Sequence, residues 1–259
     1  MTSDGITSAP ERIRISWGAV GQAVTRPYPV TFPMILLVSL IPFYLVLAGR
    51  ARGGAVYAPE LALDRLLPVV PVWALIYGAM YAFLIVLPVF VVQQRELIRR
   101  TVWAYITVWS VAYACFFLYP TVAPRPDHVT GEGFAAWGLR FLYDADPPYN
   151  CFPSIHVAHS FVSALACYRV HRRLGLVAMS CAALVAIATL LIKQHYIADA
   201  IGGIFLAALA NAVWLRGYAR ANIPELDRRL APALAICVIG IVIVGIAGFW
   251  VAYRLRTLI

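Results

Sequence analysis

The sequence has few charged residues for its length. Charged side chains make up 13% of the 259 residues, against about 25% in an ordinary soluble domain, whereas hydrophobic residues make up 62%. A soluble fold of this size has too little interior to bury so much apolar surface. The shortage of charge therefore excludes a soluble domain and indicates a chain embedded in a membrane throughout.

Two further absences narrow the class of protein. The five cysteines form no CxxC pair and no metal-ligand spacing, so we expect small core residues, with a Cys115–Cys151 disulfide disfavoured. Residues 1–30 lack a short apolar core followed by a small-residue cleavage site, so the first span is expected to act as an uncleaved signal anchor. Although the formal charge is +9, we expect no nucleic-acid partner, because the arginines are scattered over the loops.

Seven stretches are long and apolar enough to cross a membrane, which takes about 20 mostly apolar residues. They lie at roughly 31–49, 68–92, 101–119, 152–170, 174–192, 196–214 and 230–253. The sequence thus predicts an all-α polytopic membrane protein, a single domain of residues 1–259 built as a bundle of about six to seven transmembrane helices. Spans three to six are expected to form its core, with the other spans packed around them.

Basic residues are unevenly divided between the two sides of the membrane. The side with the N-terminus and the loops after spans two, four and six holds 13 of the 21, and the other side holds eight. The positive-inside rule then predicts a cytoplasmic N-terminus, with the loops after spans one, three and five outside a bacterial-type inner membrane.

The longest polar segment, residues 120–151, lies between spans three and four. Apolar residues within it are spaced as in a short helix that lies in the membrane interface: Phe134, Trp137, Leu139 and Phe141. The polar residues expected to face water are Arg140, Asp144 and Asp146. A plain surface loop and a substrate-side lid both remain open interpretations.

The first polar cluster occupies residues 150–159, with the sequence Asn-Cys-Phe-Pro-Ser-Ile-His-Val-Ala-His. Proline suits the first turn of a helix, so Ser154 and His156 are expected in the opening turn of span four, beside unpaired N–H groups that attract anions. His156 there can donate a proton to a leaving oxygen; structural capping is the weaker alternative. For His159, one turn deeper, support of His156 and plain packing are equally open.

The second cluster occupies residues 193–203, with the sequence Lys-Gln-His-Tyr-Ile-Ala-Asp-Ala-Ile-Gly-Gly. In a helix, His195 and Asp199 share a face, and a carboxylate bonded to one imidazole nitrogen raises the basicity of the other. Lys193 is the only lysine, and it lies at the outer boundary, where an anion is its natural partner. A snorkelling lysine beside a structural His–Asp pair is the alternative.

Topology brings these clusters to the same membrane face as residues 119–126, which follow span three. Arg125, between Pro124 and Pro126, is well placed to bind a phosphate with two N–H groups. Ionisable residues are rare in membrane spans without a function, so their convergence predicts an active site.

Three motifs resemble those of the type 2 phosphatidic acid phosphatase superfamily, over roughly residues 100–214. They are Arg125-Pro126, the Pro-Ser-x-His turn that ends at His156, and His195 followed four residues later by Asp199. The amino-acid sequences of these motifs most resemble those of the branch that contains inositol phosphorylceramide synthases and bacterial relatives. The resemblance implies a six-helix phosphatase-type core, whose catalytic part covers about residues 100–214, with the span at 230–253 as an addition.

The resemblance also implies roles for these residues. His195 would be the nucleophile that forms a phosphohistidine, Asp199 would orient it and His156 would be the general acid. Arg125 and Ser154 would bind the phosphate, without metal or cofactor. Asn150 and Tyr196, within the two clusters, are candidate supporting residues.

The motifs depart from the family at two phosphate ligands. Leu118 stands where the family has a lysine, and Thr189 stands where it has an arginine. Lys193 is expected to substitute for one of them.

Three functions remain open at this point. They are a phosphatase for a membrane lipid phosphate or diphosphate, a lipid phosphotransferase with an alcohol acceptor, and a transporter or scaffold. Ionisable residues at one face, rather than at mid-depth, disfavour the transporter. The phosphatase is preferred, and its expected partner is a lipid phosphate in the membrane.

Overall fold

In the computed structural model, residues 16–29 and 31–256 are described. They form ten α-helices: α1 Trp17–Val24, α2 Phe32–Ser39, α3 Ile41–Arg52, α4 Val72–Val91, α5 Arg95–Leu118, α6 Phe134–Ala145, α7 Ile155–Val170, α8 Arg172–Leu191, α9 Ile197–Ala210 and α10 Glu225–Arg256. Short 3₁₀ turns cover Ala62–Leu66 and Arg220–Asn222, and a π-helical turn at Asn211–Leu215 continues α9. These residues contain two isolated β-bridges and no strand, so the all-α prediction is confirmed. Residues 1–15, which carry part of the signal-anchor prediction, lie outside the described residues.

Six helices in the described part of the chain are long and apolar enough to cross a membrane. They match six of the seven predicted spans, with α2 and α3 together forming the first. The span predicted at 152–170 is the shorter helix α7, whose 16 residues extend about 24 Å, less than the roughly 30 Å of hydrocarbon. Most of its side chains are buried by neighbouring helices, so α7 lies inside the bundle.

The outer surface of the bundle is apolar. On α10, for example, Ile236, Ile243 and Val244 are each 60% or more exposed. Apolar surface in water costs about 25 cal/mol per Å², so this face is stable against lipid. The chain is a multi-pass membrane protein, as predicted.

The first span is broken between α2 and α3. Pro42 lacks the backbone N–H that would donate to the carbonyl of Val38, so it interrupts the helical hydrogen-bond ladder. The hydroxyl of Tyr113, on α5, donates to the Leu40 carbonyl at 3.0 Å. This bond ties the break in the first span to the core.

The end of α5, the start of α7, the end of α8 and the start of α9 meet at one end of the bundle, here called the site end. The loop at 53–71 covers it through backbone bonds: Tyr57 N–H donates to Pro120 O at 2.8 Å, and Val70 N–H donates to Leu191 O at 2.9 Å. The interfacial helix predicted in 120–151 is α6, with Leu139 buried and Phe141 about half exposed.

One prediction for this segment is wrong. Asp146 does not face water, because its carboxylate accepts a 2.8 Å hydrogen bond from the hydroxyl of Tyr44 and its side chain is only 19% exposed. Arg140 and Asp144 are exposed as expected.

Candidate active site

His195 and Asp199 are paired by a helix cap. The predicted contact assumed that both residues lie in a helix, but α9 begins at Ile197 and Tyr196 is its N-cap residue. The Oδ2 atom of Asp199 accepts from the Tyr196 backbone N–H at 2.9 Å and lies 3.3 Å from Nδ1 of His195. One buried carboxylate therefore both caps the helix and orients the imidazole.

The second nitrogen of His195 faces His156. Nε2 of His195 lies 3.1 Å from Nδ1 of His156. If Asp199 accepts the Nδ1 proton of His195, the Nε2 lone pair points at His156, which supplies the proton of their shared bond. We call these two residues the histidine pair; with these tautomers, a basic nitrogen would lie beside a proton donor.

Ser154 joins the two polar clusters. It is the N-cap residue of α7 rather than part of the first turn, and Pro153 therefore precedes the helix instead of opening it. Its side chain accepts from the Val157 N–H at 3.3 Å, and its own N–H donates to Asp199 O at 3.0 Å.

Gly203 makes this approach of α9 to α7 feasible. A Cβ atom at position 203 would lie 2.6 Å from the carbonyl oxygen of Ser154, closer than real contacts allow. A glycine here lets the start of α7 pack directly on α9.

Arg125 is held by groups from two segments, the end of α6 and the turn before α9. Its Nη1 donates to the carbonyl oxygens of Tyr143 at 3.0 Å and Asp146 at 2.8 Å, and its Nη2 donates to the side-chain oxygen of Gln194. The guanidinium also lies over the ring of Tyr143, 4.6 Å from its centroid. Nε is buried without a partner among the described residues, which leaves a charged N–H group available to an anion.

Gln194 was missed by sequence reasoning. It is 3% exposed, its carbonyl oxygen accepts from Arg125, and its Nε2 is buried with no partner in the described part of the chain. Because Gln194 directly precedes His195, this hydrogen bond links Arg125 to the segment that carries His195. Its only sequence signal is its place between Lys193 and His195.

Residues 58–213 match the PAP2 superfamily. The chain belongs to this superfamily. A stretch of 129 residues is also 30% identical to a PA-phosphatase related-family protein of Dictyostelium discoideum, covering 45% of this chain and 22% of that protein. No solved structure matches. The match begins before α4, so the PAP2 region extends further toward the N-terminus than the predicted 100–214, and α10 lies outside it.

The structure does not bring Lys193 to the histidine pair. Its ammonium donates to the carbonyl oxygen of Asp64 at 2.8 Å. Asp64 is buried in the 53–71 loop, and its carboxylate accepts from the backbone N–H groups of Leu61 and Ile197 at 2.8 and 2.9 Å. Lys193 thus helps to fix the loop over the start of α9, a role that sequence reasoning did not predict.

The two departures from the PAP2 motifs have different surroundings. Leu118 is 77% exposed at the end of α5, where an apolar side chain suits lipid. Thr189 is fully buried, and its carbonyl accepts from the N–H groups of Gln194 and His195 at 2.9 and 3.2 Å. Neither position supplies a cation in this chain, which leaves Arg125 as the cation that contacts the site residues.

His159 stacks on Tyr105, with ring centroids 4.1 Å apart and planes 12° apart, and its Nδ1 has no partner among the described residues. This contact favours the packing interpretation over support of His156. The ring of His156 instead meets the rings of Tyr77 and Tyr81 edge-on, at 5.8 and 5.2 Å. Sequence reasoning missed both tyrosines.

Asn150 and Tyr196 support the site indirectly. Asn150 has φ of +64°, in the left-handed region that asparagine tolerates, and its side chain donates to the carbonyl of Tyr44 at 2.9 Å. Because the Tyr44 hydroxyl holds Asp146, Asn150 stabilises the Arg125 surroundings. Burial raises the pKa of Tyr196 to about 12, so its phenol stays neutral.

Cys151, His195 and Asp199 are the one group of potential metal ligands found in the described ranges, with ligand atoms within 4.8 Å of one another. The His195 and Asp199 atoms bond each other, and burial raises the pKa of the Cys151 thiol well above its usual range. A cysteine must be in the thiolate form to bind a metal. The three groups therefore fit hydrogen bonding better than metal binding. All five cysteines are free.

Proposed function

We propose that this PAP2 protein removes phosphate from a membrane lipid phosphate or diphosphate through a phosphohistidine. The observation that carries the proposal is the line of groups from Asp199 through His195 to His156, with separations of 3.3 and 3.1 Å. Superfamily membership and the PA-phosphatase related protein support a phosphatase-type function. Arg125 and Ser154 are proposed to hold the phosphoryl oxygens, and Gln194 is proposed to hold Arg125.

In the proposed first step, Nε2 of His195 attacks phosphorus and the bond from phosphorus to the lipid oxygen breaks. The phosphoryl group enters between the histidine pair, so their direct bond opens on binding. Its negative charge favours the imidazolium form of His156, which gives its proton to the leaving oxygen. Water then attacks the phosphohistidine, His156 takes the water proton, and inorganic phosphate leaves. The bond from phosphorus to Nε2 of His195 breaks in this second step, and the other product is the lipid alcohol from a lipid phosphate or the lipid monophosphate from a lipid diphosphate.

A phosphotransferase is the second candidate, because an alcohol can replace water in the second step. The sequences of residues 152–158 and 195–202 resemble the motifs of inositol phosphorylceramide synthases, and this resemblance favours the phosphotransferase. A transporter or scaffold would not need an oriented nucleophile beside a proton donor, so we place it third.

The proposed location is a bacterial-type inner membrane, with a cytoplasmic N-terminus and the site end at the extracytoplasmic face. The excess of basic residues on the opposite side supports it. A single membrane domain, with α10 as an addition to the PAP2 core, is part of the same proposal.

The test is to incubate purified protein with phosphatidic acid and other lipid phosphates, with and without alcohols such as inositol. Free phosphate and new lipid products are measured together. Phosphate release that does not depend on an alcohol supports the phosphatase, and a new phospholipid formed only with an alcohol supports the transferase. Absence of both reactions, in protein that remains folded, contradicts the proposal.

A further inference from the structure

An apolar groove lies between α4, α6 and α10. It has a volume of about 380 Å³, within the usual range of ligand pockets. We call it the acyl groove and define it by Tyr77, Gly78 and Val86 of α4, Trp137 of α6, and Gly245 and Phe249 of α10. Its described lining contains no charged residue.

Tyr77 lies between the acyl groove and the histidine pair. This residue lines the groove, is 5% exposed, and meets the ring of His156 edge-on at 5.8 Å. A ligand in the groove therefore ends one side chain away from the proposed proton donor.

The dimensions of the groove match one leaflet. Its lining on α4 runs from Ala74 to Val86, and the 12 residue-to-residue steps between them rise about 18 Å along the helix. Half of a hydrocarbon core of about 30 Å is about 15 Å. A hydrocarbon chain that starts beside His156 would thus remain in one leaflet.

The roof of the groove offers one polar group. Trp137 and Phe141 of α6 pack against Phe249 of α10, with centroids 6.4 and 5.3 Å apart. The indole N–H of Trp137 is buried and has no acceptor in the described part of the chain. An ester oxygen near the head of a glycerolipid would satisfy it.

We propose that the acyl groove binds a fatty acyl chain of the lipid phosphate whose headgroup reaches the histidine pair. The proposal rests on the proposed function, and it adds that α10, outside the matched PAP2 region, forms one wall of the substrate site. Glycines keep the groove open: a Cβ atom at Gly78 or Gly245 would meet nothing within 4 Å.

The test fills the groove with Gly245→Phe and uses Gly240→Phe as the matched control. Gly240 lies on the same helix, is also exposed, has the same open space at Cβ, and does not line the groove. We expect Gly245→Phe to lower kcat/KM for dioleoyl phosphatidic acid at least tenfold, mostly through KM. Hydrolysis of water-soluble p-nitrophenyl phosphate should be unchanged, and Gly240→Phe should match wild type on both substrates.

A binding measurement separates this proposal from the proposed function. Phosphatidic acid with a diazirine in its acyl chain should label α10 in wild type and Gly240→Phe, and much less in Gly245→Phe. Labelling without hydrolysis would support the groove and contradict the phosphatase. Hydrolysis with equal labelling of all three proteins, or with equal loss of both substrates in Gly245→Phe, would overturn the groove.

Discussion

The carboxamide oxygen of Gln194 accepts a hydrogen bond from Nη2 of Arg125, joining the segment after α5 to the residue beside His195. The guanidinium is also held by two backbone carbonyls from the end of α6, by the ring of Tyr143 at 4.6 Å and by the carboxylate of Asp146 at 3.8 Å. Gln194 is thus the side chain that joins Arg125 to the segment carrying His195. It is a positioning residue in the proposed site.

Replacing Gln194 should therefore weaken phosphate binding. A hydrogen bond to a charged group contributes about 1.5–3 kcal/mol, so we expect Gln194→Leu to lower kcat/KM roughly 10- to 100-fold. Gln194→Glu keeps the acceptor oxygen and should recover most of the loss. Inhibition by inorganic phosphate should weaken in parallel for Gln194→Leu. If Gln194→Glu lowered kcat/KM as much as Gln194→Leu, the role of Gln194 would be structural only.

The different roles proposed for His195 and His156 predict that their variants respond differently to the leaving group. His195→Ala should abolish turnover and any trapped phosphoenzyme for every substrate. His156→Ala should reduce lipid phosphate hydrolysis about 10²–10⁴-fold, because an alkoxide needs protonation, and should affect an aryl phosphate much less. Rapid-quench and steady-state assays with both substrates measure this contrast. Equal impairment of both variants on both substrates would remove the support for these roles.

The close approach at Gly203 predicts a stability effect. Gly203→Ala places Cβ against the Ser154 carbonyl, and such overpacking costs about 1–3 kcal/mol. Separation of Ser154 from Asp199 should also lower activity. Gly240→Ala, with open space at Cβ, is the control and should be neutral or slightly stabilising. Thermal unfolding in detergent compares them, and an unchanged midpoint for Gly203→Ala would contradict the packing argument.

The chemistry is expected to proceed without metal, because in the proposed mechanism Arg125 and backbone N–H groups hold the phosphate. Activity should survive EDTA, and vanadate should inhibit, because it adopts the trigonal-bipyramidal geometry of phosphoryl transfer. Cys151→Ser serves as a control, because a zinc site at this cluster would lose a ligand. Activity that disappears on chelation and returns only with a divalent ion would overturn the mechanism.

The proposed orientation can be tested with reporter fusions. A periplasm-dependent reporter should be inactive at the N-terminus and active when inserted in the exposed loop near Gly131. A cytoplasm-dependent reporter should show the opposite pattern. An active periplasmic reporter at the N-terminus would place the site end in the cytoplasm.

Local sequence determined the class of this protein and the identity of its central groups. Long apolar runs lose too much free energy in water to lie anywhere but in a membrane, so the spans could be predicted from composition. The three PAP2 motifs are short enough to read within single segments, and they gave the superfamily together with His156, His195, Asp199, Arg125 and Ser154. The structure brings the histidines and Asp199 together, although a helix cap, rather than helical spacing, makes the His195–Asp199 contact.

Tertiary structure decided which side chains complete the site. Asp146 was expected in water but is held by Tyr44, and Lys193 was expected at the phosphate but binds the Asp64 carbonyl. These partners are 102 and 129 residues apart in the chain. No local pattern predicts such contacts, because they depend on how the loops at 53–71 and 120–151 fold over the end of the bundle. The acyl groove has the same origin: its walls come from three helices, and only their packing leaves the space between Gly78 and Gly245 unfilled.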